Sequence, residues 1–110
     1  VPPWEFEENM RAMLRKTLEA GAQAVVLLPP HAATLRERRP TIPQYQEILA
    51  RTAEEFGAVH TSLQAVFERA TDDERTLYQE HDDYHPSVLG HRLIGEEIGR
   101  LVGLLVKGET

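Results

Sequence analysis

The segment from residue 81 to residue 91 holds the densest cluster of reactive side chains in this sequence. It reads His-Asp-Asp-Tyr-His-Pro-Ser-Val-Leu-Gly-His. Asp82 precedes His85 by three residues, so a tight turn would bring its carboxylate to the imidazole. A carboxylate bonded to one ring nitrogen fixes the tautomer and leaves the other nitrogen to accept a proton. Pro86 disfavours helical backbone at His85 and predicts a loop there. The spacing therefore predicts a general base at His85, oriented by Asp82.

The same cluster supports two other interpretations. His81, His85 and Asp82 could ligate a metal ion, because histidines four residues apart meet on one face of a helix. Pro86 and the neighbouring aspartates oppose a continuous helix through His85, so the sequence predicts neither a metal nor another cofactor here. The simplest alternative to catalysis is a surface turn in which a carboxylate caps a helix.

The remaining histidines and two aromatic residues have simpler explanations. His31 and His60 are predicted to be structural or solvated, and His91 to cap or pack at the first turn of the last helix. Trp4 and Tyr84 are predicted either to line an acyl pocket or to pack at the core or its rim.

Three arginines follow the first strand in a predicted loop from residue 31 to residue 42: Arg36, Arg38 and Arg39. They would either meet an anionic substrate on the active-site side or remain solvated. The solvated loop is the simpler prediction.

The elements that would position the cluster begin with a helix and a strand. Apolar residues at three- and four-residue steps from Phe6 to Leu18 predict an amphipathic helix of about four turns that ends at Gly21. The uninterrupted apolar run 24–28, stopped by two prolines, predicts a strand buried on both faces of a parallel sheet. A second helix is predicted from about Gln44 to Gly57, and a short strand at 58–60.

The second half of the chain is predicted to be mostly helical. Residues 62–70 have a helical pattern, and Thr71 with Glu74 has the spacing of a capping box for another short helix. Ser87 is expected to cap the long last helix, which has a broad apolar face. Glycines four residues apart on that helix predict a smooth ridge that packs closely on a sheet: Gly95, Gly99 and Gly103.

The order of these elements predicts an α/β layered fold with a parallel sheet. Only two strands are evident, and such a sheet would have open edges. We therefore expect residues 1–110 to be the C-terminal portion of a single larger α/β domain. Its expected partners are the N-terminal half of that domain or, by self-association, a second copy of the chain.

Composition excludes several functional classes. The net charge of −6 opposes nucleic-acid binding, which calls for a basic face. The absence of cysteine excludes a disulfide framework, a thiolate zinc site and a cysteine nucleophile. The longest apolar run is far shorter than the roughly 20 residues that span a bilayer, so no membrane span is predicted. Because the chain begins at Val1, we expect a processed or incomplete N-terminus.

The block formed by Asp82, His85 and Pro86, followed by Ser87 and a C-terminal helix, resembles the last conserved block of the GDSL/SGNH hydrolases. The strand that ends in prolines at residues 29 and 30 resembles a strand of the same family, and the helix and strand after it also match. In that family the Asp and His of this block complete a catalytic triad with an N-terminal serine. The resemblance implies a three-layer, flavodoxin-like parallel sheet, of which only the C-terminal half is present. The spacing of Asp83 fits the family pattern less well, so its side chain is expected to be solvated.

The other family blocks are missing from the sequence. The Gly-Asp-Ser nucleophile block, the oxyanion glycine and the Gly-x-Asn-Asp block do not occur. Ser62 and Ser87 are the only serines, and neither has the sequence context of a nucleophile.

The resemblance implies a serine esterase or lipase that acts on carboxylic esters. This chain would supply Asp82 and His85, and an absent N-terminal segment would supply the serine and the oxyanion donors. The isolated chain is expected to be inactive. The alternative is a non-catalytic interaction domain, either a degenerate hydrolase or a helical module whose last helix packs on a partner.

Overall fold

A computed structural model describes residues 1–107 of the 110-residue chain, which divide into two compact units. The first unit contains residues 1–28 and 39–61, and the second contains residues 29–38 and those from Ser62 onward. The elements in chain order are α1 (Pro3–Glu19), β1 (Val25–Leu28), α2 (Ala33–Arg38), α3 (Thr41–Glu55), β2 (Val59–Ser62), α4 (Leu63–Ala70), a 3-10 helix (Glu74–Leu77) and α5 (Val88–Lys107).

The first unit contains a two-stranded parallel sheet, formed by β1 and β2, and the helices α1 and α3. Its buried core consists of Leu14, Val26, Leu28 and Ala53. The helices also meet at an edge-to-face pair of aromatic rings, Phe6 and Tyr45, whose centroids are 4.6 Å apart. This unit confirms the α/β character predicted from the order of the elements.

The predicted helices and strands of this unit are present. α1 extends three residues further towards the N-terminus than the apolar pattern, because a proline is well tolerated at the first helical position. Gly21 and Gly57 follow their helices with φ of 79° and 68°, in the left-handed region that glycine adopts without strain. β1 alternates between buried and half-buried residues, so within the described residues the prediction that both faces of this strand are buried is wrong.

The second unit is built around a separate core of Ala32, Phe67, Leu77 and Tyr78. The rings of Phe67 and Tyr78 pack edge to face with centroids 5.7 Å apart. Half-buried side chains of α4 and α5 complete this core: Val66, Leu93 and Ile94. Because Leu77 and Tyr78 belong to the core, the loop that follows them starts from a fixed point.

Two local predictions are wrong. The segment 31–42 is not a continuous loop, since α2 occupies six of its residues and α3 begins at Thr41. Six residues are too few for an apolar period to stand out. The cap of the 3-10 helix is Asp73, whose carboxylate accepts from the Arg75 amide at 3.2 Å. The Thr71 hydroxyl accepts instead from the Asp73 amide at 3.0 Å, so the predicted capping box does not form.

The last helix begins where predicted, and its glycines behave differently from the prediction. Ser87 caps α5 by accepting from the Gly90 amide at 3.2 Å. A β-carbon built at Gly95, Gly99 or Gly103 would have no neighbour within 4 Å among the described residues, so nothing there packs closely on the predicted ridge.

No helix in residues 1–107 has the length and apolar character needed to cross a membrane.

Candidate active site

The loop that carries Asp82 and His85 is closed at its base by backbone hydrogen bonds. The Gln79 amide donates to the His85 carbonyl at 2.9 Å, and the Ser87 amide donates to the Leu77 carbonyl at 2.9 Å. Between these bonds, Tyr78 and Pro86 form an isolated antiparallel bridge. Both ends of the loop are therefore fixed to each other and, through Leu77, to the core of the second unit.

Within this loop a tight turn places the Asp82 carboxylate against the His85 ring. The Asp82 amide donates to the Gln79 carbonyl at 3.1 Å. One carboxylate oxygen, Oδ1, accepts from the amides of Tyr84 and His85, each at 2.8 Å. The other oxygen, Oδ2, lies 2.5 Å from His85 Nδ1. The short side chain of an aspartate can accept from the backbone amides two and three residues ahead, which stabilises such a turn locally. The contact between Asp82 and His85 therefore follows from their three-residue spacing.

The electrostatic surroundings keep Asp82 ionised. The hydrogen bond from the His85 amide has the largest effect, followed by that from the Tyr84 amide, and with a smaller contribution from the His85 ring they lower the pKa of Asp82 to about 2. Asp82 is thus a carboxylate at neutral pH. It faces Nδ1 of an imidazole whose side chain is 53% exposed, and Nε2 is the nitrogen that can exchange a proton with a reacting group.

The neighbouring aspartate has different partners. The Asp83 carboxylate forms an ion pair with Arg38 and accepts from the Thr34 hydroxyl at 3.4 Å. Its backbone carbonyl accepts from the Ala32 amide at 2.9 Å. The side chain is only 18% exposed, so the expectation that it is solvated is wrong. Asp82, and not Asp83, lies against the imidazole.

The three arginines of the segment 31–42 differ in their surroundings. Arg38 is 65% exposed and pairs with Asp83, whereas Arg39 is exposed. Arg36 is half-buried, and its Nε is buried without a hydrogen-bond partner among the described residues. The prediction of a solvated arginine is therefore wrong for Arg36, whereas Arg38 and Arg39 are exposed as predicted.

Arg75 is the residue of this site that sequence reasoning missed. Its guanidinium donates to the carbonyls of Gln79 at 3.1 Å and of Asp82 at 2.6 Å. Arginine at an exposed helix end is common, and nothing in its spacing to Asp82 distinguishes it. Only the path of the loop brings the two carbonyls to it.

The other histidines have surroundings different from those of His85. His81 is 90% exposed beside Glu80, and His60 of the first unit lies 3.7 Å from Glu54. His91 is exposed in the first turn of α5. His31 is half-buried, and its pKa is lowered chiefly by burial and further by the positive charge of Arg36. Over residues 1–107, no group of three or more His, Cys, Asp and Glu side chains is arranged to hold a metal ion.

Trp4 and Tyr84 are exposed to 65% and 52%, so neither belongs to a core of the described structure. The Tyr84 ring lies 4.1 Å from the His85 ring, centroid to centroid, and partly covers it. A cleft of about 350 Å³ includes Asp82 in its lining but not His85, and that lining suits water or charged groups better than an acyl chain: Thr34, Arg38, Arg75, His81, Asp82 and Asp83.

Two known proteins are similar to this chain over almost its whole length. The acetylxylan esterase of Geobacillus stearothermophilus is 28% identical over 105 residues, which cover 90% of this chain and 46% of the esterase. The crystal structure of LAE5, an alpha/beta hydrolase enzyme from the metagenome of Lake Arreo, Spain, superimposes with a TM-score of 0.76 at 24% identity. That likeness covers 99% of this chain and 49% of LAE5, and it shows the fold. The chain thus spans about half the length of these relatives.

A family model also matches most of the sequence. It covers residues 1–93 and describes the GDSL-like Lipase/Acylhydrolase family. The match includes the turn with Asp82 and His85 and the start of α5. The resemblance inferred from the sequence is thereby confirmed at the level of the family: this chain belongs to the GDSL-like lipases and acylhydrolases.

Proposed function

We propose that this chain supplies the general base of an acyl-ester hydrolase. In this proposal His85 takes and returns the proton, and Asp82 orients the imidazole. The nucleophilic serine and the oxyanion donors come from a segment upstream of Val1. Below, the whole protein means this chain together with that segment.

The observation that carries the proposal is the contact of 2.5 Å between Asp82 Oδ2 and His85 Nδ1. The carboxylate holds a proton on Nδ1, so the second nitrogen is an acceptor. Two backbone amides hold the same carboxylate, which keeps it ionised and oriented while the imidazolium forms. Membership of the acylhydrolase family supports an ester as the substrate.

The reaction then follows from the roles of these groups. The serine oxygen attacks the ester carbonyl carbon while its proton moves to Nε2 of His85. The tetrahedral intermediate collapses, and the imidazolium gives that proton to the departing alkoxide. A water molecule next attacks the acyl-serine with His85 again as the base, which releases the acid and restores the serine. Asp82 remains ionised throughout and stabilises the imidazolium.

We further propose that the upstream segment completes a three-layer, flavodoxin-like sheet of a single domain, of which residues 1–110 are the C-terminal portion. Within residues 1–107 the sheet has two parallel strands, so each strand has a strand neighbour on one side and a further strand could be added on the other. Beside β1 lies an apolar groove of about 440 Å³, and Met13 at its border is 55% exposed. An added strand or helix in this groove would bury that surface. Self-association of the chain stays the alternative prediction.

The substrate class proposed is a carboxylic ester with an alcohol leaving group. A relative that is described as an acetylxylan esterase favours short acyl groups on a sugar as the first esters to try. Acylated sugars and p-nitrophenyl acetate are therefore suitable test substrates.

The test compares three variants of the whole protein in ester hydrolysis. His85→Ala should lower kcat by about 10² to 10⁴-fold, because nothing else takes the serine proton. Asp82→Asn should lose a similar or smaller factor, since the turn alone partly holds the ring. The matched control is Asp83→Asn, which removes the adjacent charge and should have a mild effect because that carboxylate binds Arg38. Circular dichroism checks that each variant folds.

The outcome decides between the dyad and its alternatives. If Asp83→Asn loses the activity while Asp82→Asn retains it, the assignment of Asp82 is wrong. If the wild-type whole protein hydrolyses no ester, a non-catalytic interaction domain becomes the better interpretation.

A further inference from the structure

We propose that Arg75 is a positioning residue for the Asp82–His85 pair. This inference rests on the proposed function, because it concerns how the general base is held. Arg75 lies in the 3-10 helix, and its guanidinium bonds backbone carbonyls and not the Asp82 carboxylate or the His85 imidazole. It acts through the backbone of the loop that carries both.

The contacts of Arg75 tie together the two ends of the turn before His85. Its Nη2 atom donates to the carbonyls of Gln79 and Asp82, at 3.1 Å and 2.6 Å. The Gln79 carbonyl also accepts from the Asp82 amide at 3.1 Å. The turn from Gln79 to Asp82 is therefore held both by its own backbone hydrogen bond and by the guanidinium of Arg75. Since the Asp82 carbonyl is fixed, the direction in which this residue projects its carboxylate is fixed as well.

Arg75 is itself anchored to the second unit. Its amide donates to the capping carboxylate of Asp73 at 3.2 Å. Its guanidinium lies 5.9 Å from the centroid of the Tyr78 ring, a cation–π distance, and Tyr78 is only 3% exposed. Through these contacts the Arg75 guanidinium links the turn to the buried ring of Tyr78.

The turn needs such support because its backbone is strained next to Asp82. His81 has a φ of 61°, in the left-handed region that is unfavourable for a residue with a β-carbon. His81 is also 90% exposed, so its side chain contributes little packing to hold this conformation. A guanidinium presents several donors in a rigid plane and can bond both carbonyls at once, whereas a lysine ammonium is a flexible point donor.

The test uses Arg75→Gln and Arg75→Lys in the whole protein, with Arg69→Gln as the control. Arg69 is exposed on α4 and makes none of the loop contacts. We expect Arg75→Gln to lower kcat about 10- to 100-fold with KM nearly unchanged, because displacement of a general base by about 1 Å costs up to about 10²-fold. Arg75→Lys should recover part of that loss, and Arg69→Gln should behave as the wild type.

Proton NMR of the His85 Nδ1–H, assigned with His85→Gln, gives a readout that does not depend on activity. A proton shared with a carboxylate at short distance resonates at low field, and Arg75→Gln should broaden or remove that signal while Arg69→Gln preserves it. Unchanged kcat and an unchanged signal in Arg75→Gln would overturn the proposal. The proposal would also be overturned if Arg75→Gln and Arg75→Lys lost kcat equally and the loss were explained by a lower denaturation midpoint of both variants.

The two proposals fail in different ways. If His85→Ala retains full ester hydrolysis, the proposed function is wrong, and the low-field signal still reports whether Arg75 positions the pair. If His85→Ala is inactive and Arg75→Gln is normal in both measurements, only the positioning role is wrong.

Discussion

The two adjacent aspartates have different proposed roles because their carboxylates contact different groups. Asp82 accepts two backbone amides and the His85 ring nitrogen, whereas Asp83 pairs with Arg38 and the Thr34 hydroxyl. Its ion pair keeps Asp83 occupied and away from the imidazole. At the scale of single residues, the local turn sets the Asp82 carboxylate against the imidazole, and an arginine 45 residues earlier in the chain holds the Asp83 carboxylate elsewhere.

The lowered pKa of Asp82 predicts a pH-dependent contribution to stability. An ordinary aspartate has a pKa of about 3.9, and this one is lowered to about 2 in the folded state. A depressed folded pKa stabilises the protein above about pH 4, and that contribution is lost as the pH falls towards 2. Urea unfolding of the whole protein should show a stability gap between the wild type and Asp82→Asn that narrows below about pH 4.

The matched control is Asp72→Asn, which removes an exposed carboxylate from the same unit. Its stability should stay close to that of the wild type across the range. A gap for Asp82→Asn that is the same at pH 6 and pH 3 would contradict the hydrogen-bond origin of the low pKa.

The start of α5 packs against the base of the loop that carries Asp82 and His85. Gly90 lies in its first turn, and a β-carbon there would overlap the Leu77 carbonyl oxygen and approach Pro86 and Phe67 at 3.0 Å and 3.3 Å. That carbonyl also accepts from the Ser87 amide at the base of the loop. The close approach of α5 to the loop therefore requires glycine at this position.

Gly90→Ala should destabilise the whole protein by about 1–3 kcal/mol in denaturant unfolding, since a backbone carbonyl cannot move aside cheaply. Ester hydrolysis should also fall, because the base of the loop shifts. The control is Gly95→Ala in the same helix, where the added methyl has no neighbour within 4 Å in residues 1–107. There alanine should be neutral or stabilising by up to about 1 kcal/mol, through its better helix propensity. Equal effects at both positions would contradict the steric argument.

Most helices and strands were predictable from the sequence, including the short elements β1, β2 and α4, whereas α2 was not. α1, α3 and α5 have sustained apolar periods and clear end signals, so local sequence determines them. The contact between Asp82 and His85 was predictable for the same reason, because three residues and a proline define the turn locally. α2 and the contacts of Arg75 depend on tertiary neighbours, which a pattern of a few residues does not encode.

Gly95, Gly99 and Gly103 of α5 illustrate what local sequence determines about a helix surface. Their four-residue spacing correctly indicated a smooth surface, but no described residue packs closely against it. The chain spans about half the length of its relatives, and the sheet has two strands. The spacing of glycines along a helix is set by local sequence, whereas what packs on them depends on tertiary neighbours.

At the scale of the whole molecule, the proposed division of the catalytic groups predicts where a serine-directed reagent reacts. The hydroxyls of both serines of this chain are engaged in hydrogen bonds to the backbone. The Ser62 hydroxyl accepts from the Ala65 amide at 3.1 Å, and the Ser87 hydroxyl donates to the Thr76 carbonyl at 2.7 Å. Neither is activated by the base, so the chain alone should not be labelled by a fluorophosphonate.

In the whole protein the same reagent should label one serine upstream of Val1, and His85→Ala should slow the labelling strongly because the serine then keeps its proton. Mass spectrometry of the labelled peptides identifies the site. Ser87→Ala is the control: it removes the cap of α5 and should lower stability by about 1 kcal/mol without reducing the yield of label in the folded protein. Stoichiometric label on Ser62 or Ser87 of the chain alone would place the nucleophile in this chain, and the proposed division would be wrong.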